Sequence, residues 1–368
     1  MLFTSIVAFI VIFSLLILVH EWGHFISARI FGVKVDEFGL GLPPQAKRLF
    51  RDRKKTEYTL NWLPLGGFVR MKGEDAHSPE LLKAKDSFAA QKVWQRIVIV
   101  CAGVVMNLIA GFLLFTIVFS IGTTYLSPTE KVDGMITENS DAEFVSVQPL
   151  GMLVNEILEG KPAAESELKA FDFIAAVDGE IFANAEEFQH LLKSRAEQET
   201  TLLLIRRNLE FEIAITPNAD GEIGVAFTGP LTAVQLRYPF PNSFLEAGKE
   251  TWRLTKLITG AIGGLFGSLI RGQLPEGIGG PVAIAKETFY RASSFLALLN
   301  FAALLSITLA IFNILPIPAL DGGRLLFLLF EGIFRRRPSP RWEAKIHTAG
   351  YILLLGLIVI ISWQDIFR

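Results

Sequence analysis

Two histidines four positions apart enclose a glutamate in His20-Glu21-Trp22-Gly23-His24, the pattern H-E-x-x-H. On a helix such residues share a face, so both imidazoles can reach one metal ion, and that ligand type suits zinc. The glutamate between them can take a proton from a water whose pKa the ion has lowered toward about 7. The chemistry on offer is metal-assisted hydrolysis. A hydrolytic zinc also wants a third protein ligand and one position left open. Between Glu287 and Glu331 the only acidic side chain is Asp321. It ends the run Asn313-Ile314-Leu315-Pro316-Ile317-Pro318-Ala319-Leu320-Asp321, just before Gly322-Gly323. Prolines and paired glycines interrupt an apolar stretch where the carboxylate stands, and broken backbone at membrane depth is tolerated only beside protein or a wet cavity. His77, His190 and His347 occupy polar or boundary positions and are poor ligand candidates.

The elements that must position these groups are membrane helices. Of the 368 residues 51% are hydrophobic and 20% charged, below the quarter usual in soluble chains. Four apolar stretches approach the roughly 20 residues that span hydrocarbon. They run from Leu2 to about Ile30, from Ile97 to Ile121 with Asn107 inside, from Phe295 to Leu315, and from Ala349 to Ile361. The first lacks a basic start and continues into His20-Glu21 instead of a small-residue cleavage site, so it reads as a retained helix rather than a signal peptide. The single cysteine, Cys101, lies in an apolar run and excludes both an intrachain disulfide and a cysteine zinc site.

Charge is segregated along the chain. Lys47, Arg48, Arg51, Arg53, Lys54, Lys55, Arg70 and Lys72 separate the first two stretches, and Arg335, Arg336, Arg337, Arg341 and Lys345 the last two. The positive-inside rule puts both connections in the cytoplasm. The segment from Thr124 to Glu250 carries 22 acidic against 9 basic residues and belongs outside, as do both termini. Residues 244–271 mix Phe244, Trp252 and Leu257 with Glu246, Lys249 and Arg253, which suits an amphipathic helix at the interface. Its glycine-rich end, 258–270, is too short to read as a span.

With these residues in view, the chain resembles the site-2 protease family of intramembrane zinc metalloproteases, in its bacterial regulator-of-sigma-E protease branch. His20-Glu21-Trp22-Gly23-His24, Asn313-Ile314-Leu315-Pro316 and Asp321-Gly322-Gly323 carry the resemblance. Phe38-Gly39-Leu40-Gly41, Pro64-Leu65-Gly66-Gly67-Phe68-Val69-Arg70-Met71 and Gly280-Pro281-Val282 extend it over nearly the whole chain. The resemblance implies His20, His24 and Asp321 as zinc ligands, Glu21 as catalytic base, and Asn313 as a holder of substrate backbone.

A protease must meet an extended peptide. Val35 to Leu42, Tyr58 to Trp62 and Phe68 to Met71 read as a hairpin bounded by turn residues, either a plain structural one or one whose edge pairs with unwound substrate. The resemblance implies a membrane-dipping β-loop and favours the second, with Gly66, Gly67 and Phe68 at the substrate. From about Val145 to Pro217 short strands surround one helix, Ala185–Ser194. Gly160-Lys161-Pro162-Ala163-Ala164 and Val177-Asp178-Gly179 look like a PDZ domain. Phe171 stands where such domains usually have glycine, a departure that bears on that turn and on the peptide groove.

The expected fold is therefore a multi-pass α-helical membrane protein of about four transmembrane helices, with a membrane-associated β-hairpin loop and an inserted extracytoplasmic PDZ-like α+β domain. Residues 1–123 and 295–368 carry the spans and motifs, 124–243 the outer region and 244–294 the amphipathic segment. The expected activity is zinc-dependent hydrolysis of single-span membrane proteins within or beside their spans, in the bacterial inner membrane, with the active site near its cytoplasmic side. The partners are those substrates and the lipid bilayer, with no nucleic acid. A non-catalytic PDZ scaffold and a metal transporter are the competing readings. An intact Glu21 argues against the first, and two histidines on one helix with a glutamate between them argue against the second.

Overall fold

The computed structural model of the chain describes residues 2–74, 80–81, 84–132, 141–206, 209–271, 284, 294–337 and 339–367. His77 and Gly280-Pro281-Val282 lie outside the described residues. In chain order the principal elements are α1 (Leu2–Ile30), β1 (Val35–Arg51), β2 (Glu57–Met71), α2 (Val93–Ile121), β3 (Thr123–Pro128), β4 (Glu143–Ile157), β5 (Phe173–Val177), α3 (Ala185–Ser194), β6 (Thr200–Arg206), β7 (Leu209–Ile215), β8 (Val225–Arg237), α4 (Asn242–Ile270), α5 (Phe295–Ile314), α6 (Asp321–Phe334) and α7 (Pro340–Phe367). They form two compact units, one of residues 1–117 and 247–368, the other of residues 118–246.

Among the described residues four helices are long and apolar enough to cross a membrane, through Val7–Ile30, Val93–Ile121, Phe295–Ile314 and Trp342–Trp363. The second and fourth begin before the apolar runs that mark them in the sequence. In α2 the early turn holds Arg96, which can be buried because its Nη2 donates to Glu331 Oε1 at 2.6 Å. In α7, Pro340 and Glu343 open the helix, where a fixed φ and a negative charge are both favourable. Tyr351, Leu353 and Val359 of α7 are more than 60% exposed, an apolar surface suited to hydrocarbon. Of the amphipathic segment, the described residues up to Ile270 lie in one continuous helix, α4, whose composition keeps it out of the four candidate spans.

The hairpin is more folded than the sequence suggests. Phe38 pairs with both Val69 and Tyr58, while Lys47 pairs with Leu60 and Arg51 with Glu57. Two long strands thus make four ribbons, in the order 47–51, 57–61, 35–40 and 67–71. Gly41 allows the bend: its φ is +79°, and a Cβ there would sit 2.4 Å from the Leu63 carbonyl oxygen. Val35, Phe38 and Met71 pack against Phe25 of α1 and Ile99 and Val100 of α2, which fixes the hairpin to the two helices.

The second unit is an antiparallel sheet in the order β3-β8-β4-β5-β6-β7, with α3 packed on it. Helix α3 starts where its residues cap it. The Asn184 side chain accepts from Glu187 N–H at 2.8 Å, and Glu187 Oε2 accepts from Ala183 N–H at 2.8 Å. Phe188 and Leu192 then enter a core of Met152, Ile174, Leu202 and Leu204. Strands β3 and β8 are not marked by the sequence pattern. Gly229-Pro230 interrupts β8, and its alternation of buried and exposed positions emerges only once β4 lies beside it.

Phe171 makes its turn without glycine. Its φ is +69°, its N–H donates to Val154 O at 2.7 Å, and the residue is 75% exposed. A left-handed conformation costs a side-chain-bearing residue about 1–2 kcal/mol, against about 0.5–1 kcal/mol of chain entropy for glycine. Phe171→Gly is therefore expected to stabilise this unit by on the order of 0.5–1 kcal/mol and to slow amide exchange in β4 and β5 about two- to fivefold. Unchanged exchange would show a turn free of strain.

Candidate metal centre

Helix α1 places His20 and His24 on one face, and that face lies against α2 at very short range. A Cβ on Gly23 would stand 2.3 Å from the Ala102 carbonyl oxygen. A Cβ on Gly103 would stand 2.6 Å from His24 Nε2 and 2.7 Å from both His20 Cε1 and Nε2. Gly23 lets the two helices approach, and Gly103 makes room for the imidazoles. His24 Nδ1 lies 2.8 Å from the Ile99 carbonyl oxygen, which can only accept, so this nitrogen carries the proton and Nε2 is left with its lone pair.

Asp321 arrives from the opposite side of the sequence as the first residue of α6, where the helix N-terminus favours a negative charge. The turn before it is closely packed. A Cβ on Gly322 would meet the Ile314 and Leu315 carbonyl oxygens at 2.2 and 2.1 Å, and one on Gly323 the Ile317 carbonyl oxygen at 2.5 Å. Ala319 adopts a φ of +81°, and its N–H donates to His347 Nδ1 at 3.0 Å. His347, a poor ligand candidate from the sequence, thus helps to hold the turn that presents Asp321.

Three ligand atoms converge. His20 Nε2 and His24 Nε2 lie 2.9 and 3.3 Å from Asp321 Oδ2, and 3.2 Å from each other. Among the described residues this is the one group of His, Cys, Asp and Glu side chains found to converge on a possible ion. Donor atoms about 2.0–2.1 Å from a tetrahedral zinc stand roughly 3.3–3.4 Å apart, so the residues fit the ion with shifts of a few tenths of an ångström. Both histidines are buried, at 7% exposure each.

Glu21 turns toward the hairpin instead. Its Oε2 accepts the Val69 N–H at 3.1 Å. Gly66 and Gly67 bring this strand against α1, since Cβ atoms there would meet Ile17 Cδ1 at 2.8 Å and Leu18 Cδ2 at 2.6 Å. The ring of Phe68 covers Gly39. At the end of the strand Glu74 pairs with Arg324, one turn beyond Asp321, and so ties the hairpin to α6. A cavity of about 670 Å³ reaches Asp321 and is lined by Glu74, Arg96, Arg324, Glu331 and His347. Glu331 is held below the usual carboxylate range: burial raises it, but the Arg96 and Arg337 guanidiniums outweigh that. Asn313 stands half-buried in the last turn of α5.

Gly103, Asn107, Glu74, Arg324 and His347 are absent from the candidates drawn from the sequence. A signal existed only for Asn107, since a polar side chain inside a span is a functional candidate by default.

The sequence pattern of Peptidase family M50 matches residues 8–357. A Campylobacter jejuni chain that carries the name of a zinc metalloprotease is 33% identical over 377 residues, covering 98% of this chain and 93% of its own. A similarly named Fusobacterium nucleatum chain is 28% identical over 363 residues, with 98% and 97% covered. The regulator of sigma-E protease RseP of Salmonella typhimurium is 28% identical over 455 residues, with 99% and 98% covered. The chain belongs to Peptidase family M50, and it is a membrane metalloprotease that works with zinc.

Proposed function

We propose that this protein is an intramembrane endopeptidase that cuts single-span membrane proteins within or beside their spans, with zinc held by His20, His24 and Asp321 and with Glu21 as the general base. The observation that carries the reading is the convergence of three ligand atoms, two from a candidate span and one from α6, at 2.9–3.3 Å. Zinc, when bound there, supplies a Lewis acid for water activation and carbonyl polarisation. Glu21 takes the proton of the attacking water on its carboxylate and passes it to the leaving amine.

A helical substrate shields its peptide bonds, so the site needs an extended one. The strand 67–71 is an outer ribbon of the hairpin, and its Val69 N–H already points to Glu21. Addition of substrate to this edge would lay an unwound backbone beside the base, with Gly66, Gly67 and Phe68 along it and Asn313 as a further hold. The charge bias of the connections supports a cytoplasmic hairpin and an outer position for both termini and for residues 124–243, in a bacterial inner membrane. Strands β4 to β7 with α3 between β5 and β6 support a PDZ-like domain at about 145–217. The resemblance points to substrates already shortened on the outer side, such as anti-sigma factors or remnant signal peptides.

The test uses purified protein in proteoliposomes with single-span reporters, and product masses to locate the cut bond. A cut inside or next to the span, lost on chelation and restored by zinc, is the expected result. Products cut only in soluble, membrane-free segments would overturn the intramembrane assignment.

A further inference from the structure

His24 has a backbone carbonyl to keep its tautomer, whereas His20 has only a side chain. That side chain is Asn107 of α2, fully buried, with its Nδ2 3.4 Å from His20 Nδ1 and its Oδ1 without a partner among the described residues. Its backbone is fixed from the other side, since Ser306 Oγ donates to the Asn107 carbonyl oxygen at 2.8 Å.

We infer that Asn107 is a positioning residue for the metal centre, whose side-chain oxygen accepts the His20 Nδ1 proton and thereby keeps Nε2 free as a ligand. An imidazole carries one proton in its neutral form, so a His20 that gives the Nε2 lone pair to a cation must carry its proton on Nδ1. With Nδ2 toward His20 the amide can serve only the opposite tautomer, in which Nε2 bears the proton and donates to Asp321 Oδ2 at 2.9 Å. The two ends of an amide are nearly the same size and shape. Half a turn about its terminal bond therefore brings Oδ1 onto Nδ1 without moving the backbone. That rotation also gives a use to the amide oxygen that has none. Leucine fills the same volume but cannot accept, and aspartate accepts in either rotamer. Asn107 thus does for His20 by a side chain what the Ile99 carbonyl does for His24 by the main chain.

The inference rests on the proposed ligand set, and the test separates the two. Zinc affinity of the full chain in detergent is measured by competition with a chromophoric chelator, and cobalt loading gives a visible spectrum that reports ligand geometry. Removal of a partner that orients a metal-binding histidine usually costs 10–100-fold in affinity, so Asn107→Leu is expected to bind zinc about 10–100-fold more weakly and to alter the cobalt spectrum. Asn107→Asp is expected to restore both. Ser306→Ala, which loosens the same stretch of helix without touching the amide, is expected to leave both unchanged. Wild-type affinity in Asn107→Leu, or equal losses in the leucine and aspartate variants, would overturn the inference. Asp321→Asn in the same titration tests the ligand set. If it also binds zinc as wild type does, the ligand assignment falls and this inference with it. If it loses zinc while Asn107→Leu keeps it, only the role of Asn107 falls.

Discussion

Replacing Glu21 by glutamine is expected to lower turnover by roughly 10²–10⁴-fold, the range that general acid–base catalysis supplies, while zinc stays bound. The two effects separate because of where the carboxylate points. Its Oε2 accepts the Val69 N–H at 3.1 Å and takes no part in the contacts among His20, His24 and Asp321. A glutamine amide oxygen can accept the same N–H, so the hairpin keeps its hold on α1 and the three ligands stay in place. What disappears is a group able to take and return a proton at the attacked bond. Alanine is expected to do more harm, because it also leaves the Val69 N–H without its acceptor. The measurement is reporter cleavage under single-turnover conditions, with metal content determined on the same samples. Equal cleavage by wild type and Glu21→Gln would remove Glu21 from the mechanism. Loss of zinc from the glutamine variant would make Glu21 a support of the metal site and not its base.

The parts legible in the sequence are those whose signal is local. The H-E-x-x-H face needs only the pitch of one helix, and Asp321 stands out as the sole carboxylate in its stretch. Apolar runs disclose the spans because the bilayer demands length and composition together. What the sequence hides depends on partners far along the chain. Arg96 stands just before an apolar run, and its ion pair with Glu331, 235 residues away, shows only in the fold. Asn107 looks like an interruption until His20, 87 residues away, is found across the helix interface. Strand β8 pairs with both β3 and β4, and only those long-range registers decide which of its residues are buried. Phe171 misleads in another way. The usual glycine is missing, yet the turn forms, because the bond to Val154 O and the exposed position of the side chain let a bulky residue take a left-handed φ.

Several glycines stand in close contact across the helix interfaces. Gly103→Ala is expected to weaken zinc binding by roughly 5- to 150-fold, if the 1–3 kcal/mol typical of overpacking falls on the metal site. The added methyl would stand 2.6 Å from His24 Nε2 and 2.7 Å from His20 Nε2, the two nitrogens offered to the ion. The rings cannot retreat by moving α1 as a whole, because α1 is tied elsewhere: Gly23 already lies in close contact with the Ala102 carbonyl and His24 Nδ1 is bound to the Ile99 oxygen. Relief must come from rotating the imidazoles out of their convergence with Asp321, and that rotation is a loss of metal geometry. Gly111 supplies the control. A Cβ there would meet Ile307 Cγ1 at 2.7 Å and the Ala303 carbonyl oxygen at 3.1 Å, so Gly111→Ala crowds the α2–α5 contact without touching an imidazole. Chelator competition on both variants distinguishes the cases. A specific loss in Gly103→Ala places the histidines against α2 as described, and equal affinity in the two variants would show that the crowding at Gly103 is absorbed without moving the ligands.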